Sequence, residues 1–161
     1  MLVKHLVAHV VVALLFLAIG YGMASADRPE LALPFGPVAQ ERSSPSNWIA
    51  EEDIQLFEDR IVIALDDPQW AVFEDTNSMD PVLDSGAHGL QRVPEHPDEL
   101  HVGDIISFSR PGTAGIVIHS IIAIGRDAEG WSSVPKRHTT PGSDGKVRFT
   151  QVHRVLVGVL Y

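Results

Sequence analysis

Residues 115–124 read Gly-Ile-Val-Ile-His-Ser-Ile-Ile-Ala-Ile, and His119 and Ser120 are the two polar side chains that interrupt this apolar run. β-Branched residues in a short run that begins after a glycine are typical of a buried strand. A histidine inside such a strand needs a hydrogen-bond partner or an exposed edge, because a buried polar group without a partner is costly. The run therefore predicts a β-strand in which His119 occupies a special position.

Similar short runs occur on both sides of this strand. They share β-branched and aromatic residues, and they lie at residues 61–65, 70–73, 104–108 and 152–161. Segments rich in Pro, Gly and Asp, which favour turns, lie between them at residues 66–68, 94–97, 110–112, 127–130 and 141–142. The pattern predicts a mostly β domain over residues 60–161, built as a small barrel or as packed sheets.

The segment before this domain has a different composition. Residues 27–47 are rich in Pro, Ser, Ala and Gly and show no periodicity, which indicates a linker. Asn47 can cap a short helix that continues to about Phe57, since Glu51, Glu52 and Asp53 then lie in the first turn, where the helix dipole favours acids. We therefore expect a linker and a short helix over residues 27–59.

The N-terminal residues have the character of a membrane anchor. Residues 6–24 carry no charged side chain, and as a helix they would cover about 28 Å, enough to cross a bilayer. Lys4 precedes this span, and acidic residues dominate after it, so the positive-inside rule places the N-terminus in the cytoplasm. The sequence thus predicts a single-pass protein of the cell membrane, with an anchor over residues 1–26 and an extracytoplasmic β domain.

A cleaved signal peptide is the alternative for residues 1–26. Residues 24–26 read Ala-Ser-Ala, which fits the small-x-small pattern of a cleavage site. The apolar stretch is longer than the roughly 7–15 residues of a typical signal peptide, and this length favours the uncleaved anchor.

Composition excludes several classes of function. The chain has 12 Lys and Arg against 21 Asp and Glu, a net charge of −9, which argues against a nucleic-acid partner. It contains no cysteine, so thiolate catalysis and cysteine-ligated metals are excluded, and a nucleophile must come from Ser, Thr, Lys or a carboxylate. The histidines lack the spacing of a helical zinc site, and we therefore expect no metal.

Three residues could together form a site for acyl transfer. Ser78 lies in a polar turn after the strand at residues 70–73, His119 lies in the strand quoted above, and Asp144 lies in a loop before the last strands. Taken singly, each is an ordinary turn or structural residue. If they converged, they would supply a nucleophile, a base and an orienting carboxylate.

The order of four segments resembles the type I signal peptidases. Residues 78–81, Ser-Met-Asp-Pro, are similar to the Ser-Met-x-Pro box of that family, downstream of a single membrane span. Residues 102–108 resemble its Gly-Asp strand, and residues 144–159 resemble its closing loop and strand. His119 lies where the archaeal and endoplasmic-reticulum branch carries a histidine and the main bacterial branch carries a lysine.

The resemblance implies a small signal-peptidase-like β domain behind a single N-terminal transmembrane helix. It implies a membrane-anchored serine endopeptidase that removes signal peptides from exported proteins, with signal sequences and the lipid membrane as partners and with no cofactor. Ser78 would be the nucleophile, His119 the base and Asp144 the acid that orients it. The Ser78 backbone N–H and the Thr76 hydroxyl would bind the oxyanion.

Two departures from the family pattern motivate an alternative function. Ser120 replaces the arginine that usually follows the histidine, and His138 occupies the place of the first of two loop acids. The alternative is a catalytically impaired, signal-peptidase-like membrane protein with a binding or accessory role.

Overall fold

The structure is a computed structural model that describes residues 41–161. These residues form one compact unit. The expected anchor at residues 1–26 and most of the expected linker lie outside the described residues. Within residues 41–161, no helix has the length and apolar character required to cross a bilayer.

The described part of the chain is mostly β, as the sequence predicts. Its strands are β1 (Ile54–Leu56), β2 (Ile61–Ile63), β3 (Gln69–Val72), β4 (His88–Arg92), β5 (Ile105–Ser109), β6 (Ile116–Asp127), β7 (Gly130–Lys136), β8 (Val147–Arg148) and β9 (Val152–Leu160). Short 3-10 turns occur at Glu51–Asp53, Pro97–Glu99 and Phe149–Gln151. The runs at residues 61–65, 70–73, 104–108, 115–124 and 152–161 are therefore confirmed as strands.

The prediction of a helix between Asn47 and Phe57 is wrong. A single 3-10 turn, Glu51–Asp53, is followed at once by β1, which pairs with β2 in an antiparallel hairpin. Ile54 lies opposite Ile63, and Leu56 lies opposite Ile61. Cross-strand pairs of β-branched and apolar side chains stabilise this hairpin, and they override the weaker helical signal of the acidic residues.

The other strands form one antiparallel sheet of seven strands in the order β3-β4-β9-β5-β6-β7-β8. β5 pairs with residues Ile116 to Ser120 of β6, whereas β7 pairs with β6 only from Ser120 onward. The first half of β6 therefore has no strand partner on its β7 side within the described residues. This open edge lies next to His119.

Two apolar clusters hold the sheet together. The larger contains the fully buried side chains of Phe108, Ile106, Ile121 and Val155. The smaller contains Met79, Leu83, Ile105 and Leu156, and it lies directly beneath the turn that carries Ser78. Burial of a side chain of this size stabilises a fold by about 1.5–3 kcal/mol, so Met79 anchors that turn to the sheet.

Asp104 attaches the N-terminal segment of the unit to the sheet. Its carboxylate is fully buried and accepts hydrogen bonds from the Ser46 N–H at 2.6 Å, the His101 N–H at 2.8 Å and the Trp48 indole N–H at 3.2 Å. Gly103, with a φ of +106°, lies so close to the backbone of Ser44 that an added Cβ would collide with it. The Gly-Asp pair thus clamps residues 43–48 against β5.

We expect Gly103→Ala to release this clamp. Gly130→Ala is the matched control, because Gly130 has a similar φ of +100° but nothing within 4 Å of an added Cβ. Overpacking costs about 1–3 kcal/mol, so Gly103→Ala should lower the free energy of unfolding by about 2 kcal/mol more than Gly130→Ala in urea titrations of the full chain. Hydrogen exchange of the Ser46 amide should accelerate in Gly103→Ala alone. Equal destabilisation by both variants would contradict the clamp.

Candidate active site

Ser78 lies in a tight turn between β3 and β4. The preceding residue, Asn77, has a φ of +54°, a left-handed conformation that asparagine tolerates better than most residues. Met79 is buried beneath the turn, and Ser78 itself is half-buried. The Ser78 Oγ lies 3.0 Å from the Thr76 Oγ1, so the two hydroxyls predicted for the site are adjacent.

His119 and Asp144 form a buried pair. The side chain of His119 is 5% exposed and that of Asp144 is 2% exposed, and the His119 Nδ1 lies 2.6 Å from the Asp144 Oδ2. The loop after β7 folds back to make this contact, with the Asp144 N–H donating to the Pro135 carbonyl at 2.9 Å and a β-bridge between Lys136 and Ser143. The structure therefore brings together two of the predicted residues that are 25 positions apart.

Arg110 completes the environment of the Asp144 carboxylate. Its Nη1 lies 3.1 Å from the Asp144 Oδ1, the oxygen that does not contact His119. Arg110 lies in the turn between β5 and β6, 34 positions before Asp144. From the sequence, Arg110 is only a turn residue, since nothing local relates it to so distant a loop.

The His119 imidazole is poised to be neutral at pH 7. Burial lowers the pKa of His119 from its ordinary value of 6.5, and the hydrogen bond to Asp144 opposes this shift only in part. A neutral ring that donates from Nδ1 to a carboxylate presents Nε2 as an acceptor. This is the protonation state that a general base requires.

Ser78 and His119 line the same cleft, which has a volume of about 830 Å³. Thr76 also lines it, as do residues 69–74 on one side and residues 114–119 on the other. Among residues 41–161, the Ser78 Oγ bonds with Thr76 and no hydrogen bond joins it to the His119 ring. Hydrogen bonds of catalytic groups are often loose without substrate, so this arrangement is compatible with a serine nucleophile.

Ser120 and His138 form a further pair, beside the Ser78 turn, that the sequence does not predict. The Ser120 Oγ lies 2.8 Å from the His138 Nε2, and the His138 backbone N–H donates to the Ser78 carbonyl at 2.8 Å. The sequence signal was present, because both residues depart from the family pattern that the chain resembles. Their contact with each other could not be inferred from spacing.

Comparison with known proteins does not assign the chain to a family. No protein-family model matches it, and neither a curated protein nor a solved structure matches it. The assignment of function therefore depends on the geometry of the cleft and on the ordered sequence segments.

We expect the pKa of His119, followed by NMR of the ring protons, to lie below 6.5. Asp144→Asn should lower this pKa further, because the carboxylate is the group that favours the charged ring. Asp84→Asn, a change in a surface turn outside the cleft, should leave it unchanged.

The lowered pKa of His119 also determines how the free energy of unfolding changes with pH. The unfolded chain binds a proton at His119 more readily than the folded chain, so the stability associated with neutral His119 is present above pH 6.5 and is lost as the pH falls below it. A His119 pKa above 6.5 would contradict this description of the site.

Proposed function

We propose that the chain is a membrane-anchored serine endopeptidase that removes signal peptides from exported proteins, with the fold of a signal peptidase domain. The observation that carries the proposal is that His119, hydrogen-bonded at 2.6 Å to the buried Asp144, lines the same cleft as Ser78. A nucleophile, a base and an orienting acid are the groups that serine acyl transfer needs.

In the proposed mechanism, the Ser78 Oγ attacks the scissile carbonyl while the His119 Nε2 accepts the hydroxyl proton. His119 then returns the proton to the leaving amine, and water hydrolyses the acyl-enzyme in the reverse sequence of proton transfers. Asp144 fixes the tautomer of His119 and stabilises the imidazolium that forms. Arg110, on the other oxygen of Asp144, keeps that carboxylate oriented.

The turn around Ser78 supplies groups for the oxyanion. The Ser78 backbone N–H is the first donor, and the Thr76 hydroxyl, 3.0 Å from the nucleophile, is the second. During attack the Thr76 hydroxyl turns from the Ser78 Oγ toward the developing negative charge. Each such donor contributes about 3 kcal/mol to the lowering of the barrier.

The cleft suits an extended peptide. β3 is an edge strand of the large sheet, and the first half of β6 has an open edge next to His119. A substrate can add a strand to such an edge through backbone hydrogen bonds, while its alternate side chains enter the cleft. Val72 and Ile116, which are 67% and 66% exposed, offer apolar surface to small side chains there.

Membrane attachment rests on residues 6–24, which lie outside the described residues. An anchor places enzyme and presequence at the same bilayer surface, and tethering of this kind raises their effective concentration. The clamp at Asp104 then fixes the point at which the chain from the anchor joins the sheet.

A binding or accessory protein is the second candidate. One observation favours it: the Ser78 hydroxyl bonds with Thr76 instead of the His119 ring. In that case the cleft binds presequences without cutting them, and Ser78→Ala leaves the processing of exported proteins unchanged.

We expect Ser78→Ala to abolish cleavage of a labelled presequence peptide by the full chain purified in detergent, because the nucleophile is lost. Ser85→Ala, which changes an exposed serine in a nearby turn, should retain full activity. Mass spectrometry of the products should place the cut after a small residue at the end of the presequence. Binding of the peptide by the wild-type chain without any cut would favour the second candidate.

We expect Thr76→Val to lower kcat by about 100-fold with little change in KM, because an oxyanion donor acts mainly on the transition state. Thr76→Ser, which keeps the hydroxyl, should retain most of the activity. Similar losses in Thr76→Ser and Thr76→Val would show that the methyl group, and not the hydroxyl, is the important part of this side chain.

A further inference from the structure

The strand that carries the proposed base makes a second polar contact at the adjacent residue. Successive side chains of a strand project from opposite faces, so His119 and Ser120 reach different partners. His119 bonds with Asp144, and the Ser120 Oγ lies 2.8 Å from the His138 Nε2. Both contacts depend on the chain between β7 and β8, which supplies Asp144 and His138.

His138 in turn holds the turn of the proposed nucleophile. Its backbone N–H donates to the Ser78 carbonyl at 2.8 Å, and its imidazole Nε2 lies 2.8 Å from the Ser120 Oγ. Burial lowers the pKa of His138 from its ordinary value of 6.5, so the ring is neutral at pH 7. A neutral imidazole has one donor and one acceptor nitrogen, and a serine hydroxyl can bond with Nε2 in either role.

We propose that Ser120 and His138 are positioning residues that link β6 to the Ser78 turn and thereby hold the Ser78 Oγ in register with His119. The inference rests on the proposed function, because it deepens the account of the same site. In this role, neither the Ser120 nor the His138 side chain needs to contact the substrate. Their role is to set the separation of two groups that no hydrogen bond joins directly within the described residues.

The Ser78 turn needs such a link because its local conformation is not self-sufficient. Asn77, with a φ of +54°, occupies a conformation that costs energy for any residue other than glycine and that surrounding contacts must maintain. Met79 anchors the turn from below, whereas His138 holds it from the side of β6. A shift of about 1 Å in a reacting group can lower a rate by about 100-fold, so the lateral contact bears directly on catalysis.

This link also explains the two departures from the family pattern. Ser120 and His138 are the residues at the unusual positions, and they bond to each other. Each therefore supplies a hydrogen-bond partner for the other.

The test is a mutant cycle on the full chain in detergent. We expect Ser120→Ala and His138→Ala each to lower kcat on a labelled presequence peptide by about 10- to 100-fold, with KM changed less than twofold. The double variant should resemble the single variants, since either change breaks the same link. His138→Gln, whose amide can reach Ser120, should recover part of the lost kcat. His101→Ala, at a 63% exposed side chain outside the cleft, is the control and should be unchanged.

Amide exchange of the same variants separates this inference from the proposed function. In Ser120→Ala, the His138 N–H that bonds to Ser78 should exchange faster, whereas the Ser46 N–H at Asp104 should not change. If the wild-type chain cuts no presequence, the proposed function is wrong, and the exchange rates still decide whether the link exists. Wild-type kcat and unchanged His138 exchange in Ser120→Ala, or additive losses in the double variant, would overturn the proposal.

Discussion

A buried imidazole in the middle of a β-strand has to be hydrogen-bonded, and the contact that satisfies His119 organises much of the site around it. Asp144 meets the ring at 2.6 Å only because the loop after β7 folds back against Pro135. The same loop brings His138 to the carbonyl of Ser78, and Arg110 closes the other side of the carboxylate. The need of the buried His119 ring for a hydrogen-bond partner is thus met by contacts between chain segments that are far apart in sequence.

Much of the fold follows from local pattern. The β-branched runs that form β2, β3, β5, β6 and β9 are visible in the sequence, since short runs of such residues between turn residues are typical of strands. β4 and β7 lie outside the apolar runs that predict strands, because residues such as Gln91, Ser132 and Ser133 are polar and yet buried in the sheet. β1 was mistaken for part of a helix, because its acidic neighbours indicate a helix start and its pairing with β2 cannot be inferred locally.

The candidate site likewise contains some residues that the sequence predicts and others that only the folded structure shows. Ser78, His119 and Asp144 can be proposed from residue type and from the resemblance of the ordered segments, and Thr76 from that resemblance alone. Arg110, Ser120 and His138 act through contacts that join distant residues, so their roles follow only from the folded chain. The roles of Gly103 and Asp104 also cannot be predicted from the sequence, because their clamp on residues 43–48 links segments more than 50 positions apart.

The central claim is that neutral His119, oriented by Asp144, activates Ser78. The most direct measurement is the rate at which a small fluorophosphonate labels the full chain as a function of pH, with the modified residue identified by mass spectrometry. The account predicts labelling at Ser78 with a rate that rises through an apparent pKa below 6.5, reaches a plateau near pH 7 and is lost in His119→Ala. Labelling of another serine, or an equal rate in His119→Ala, would contradict it.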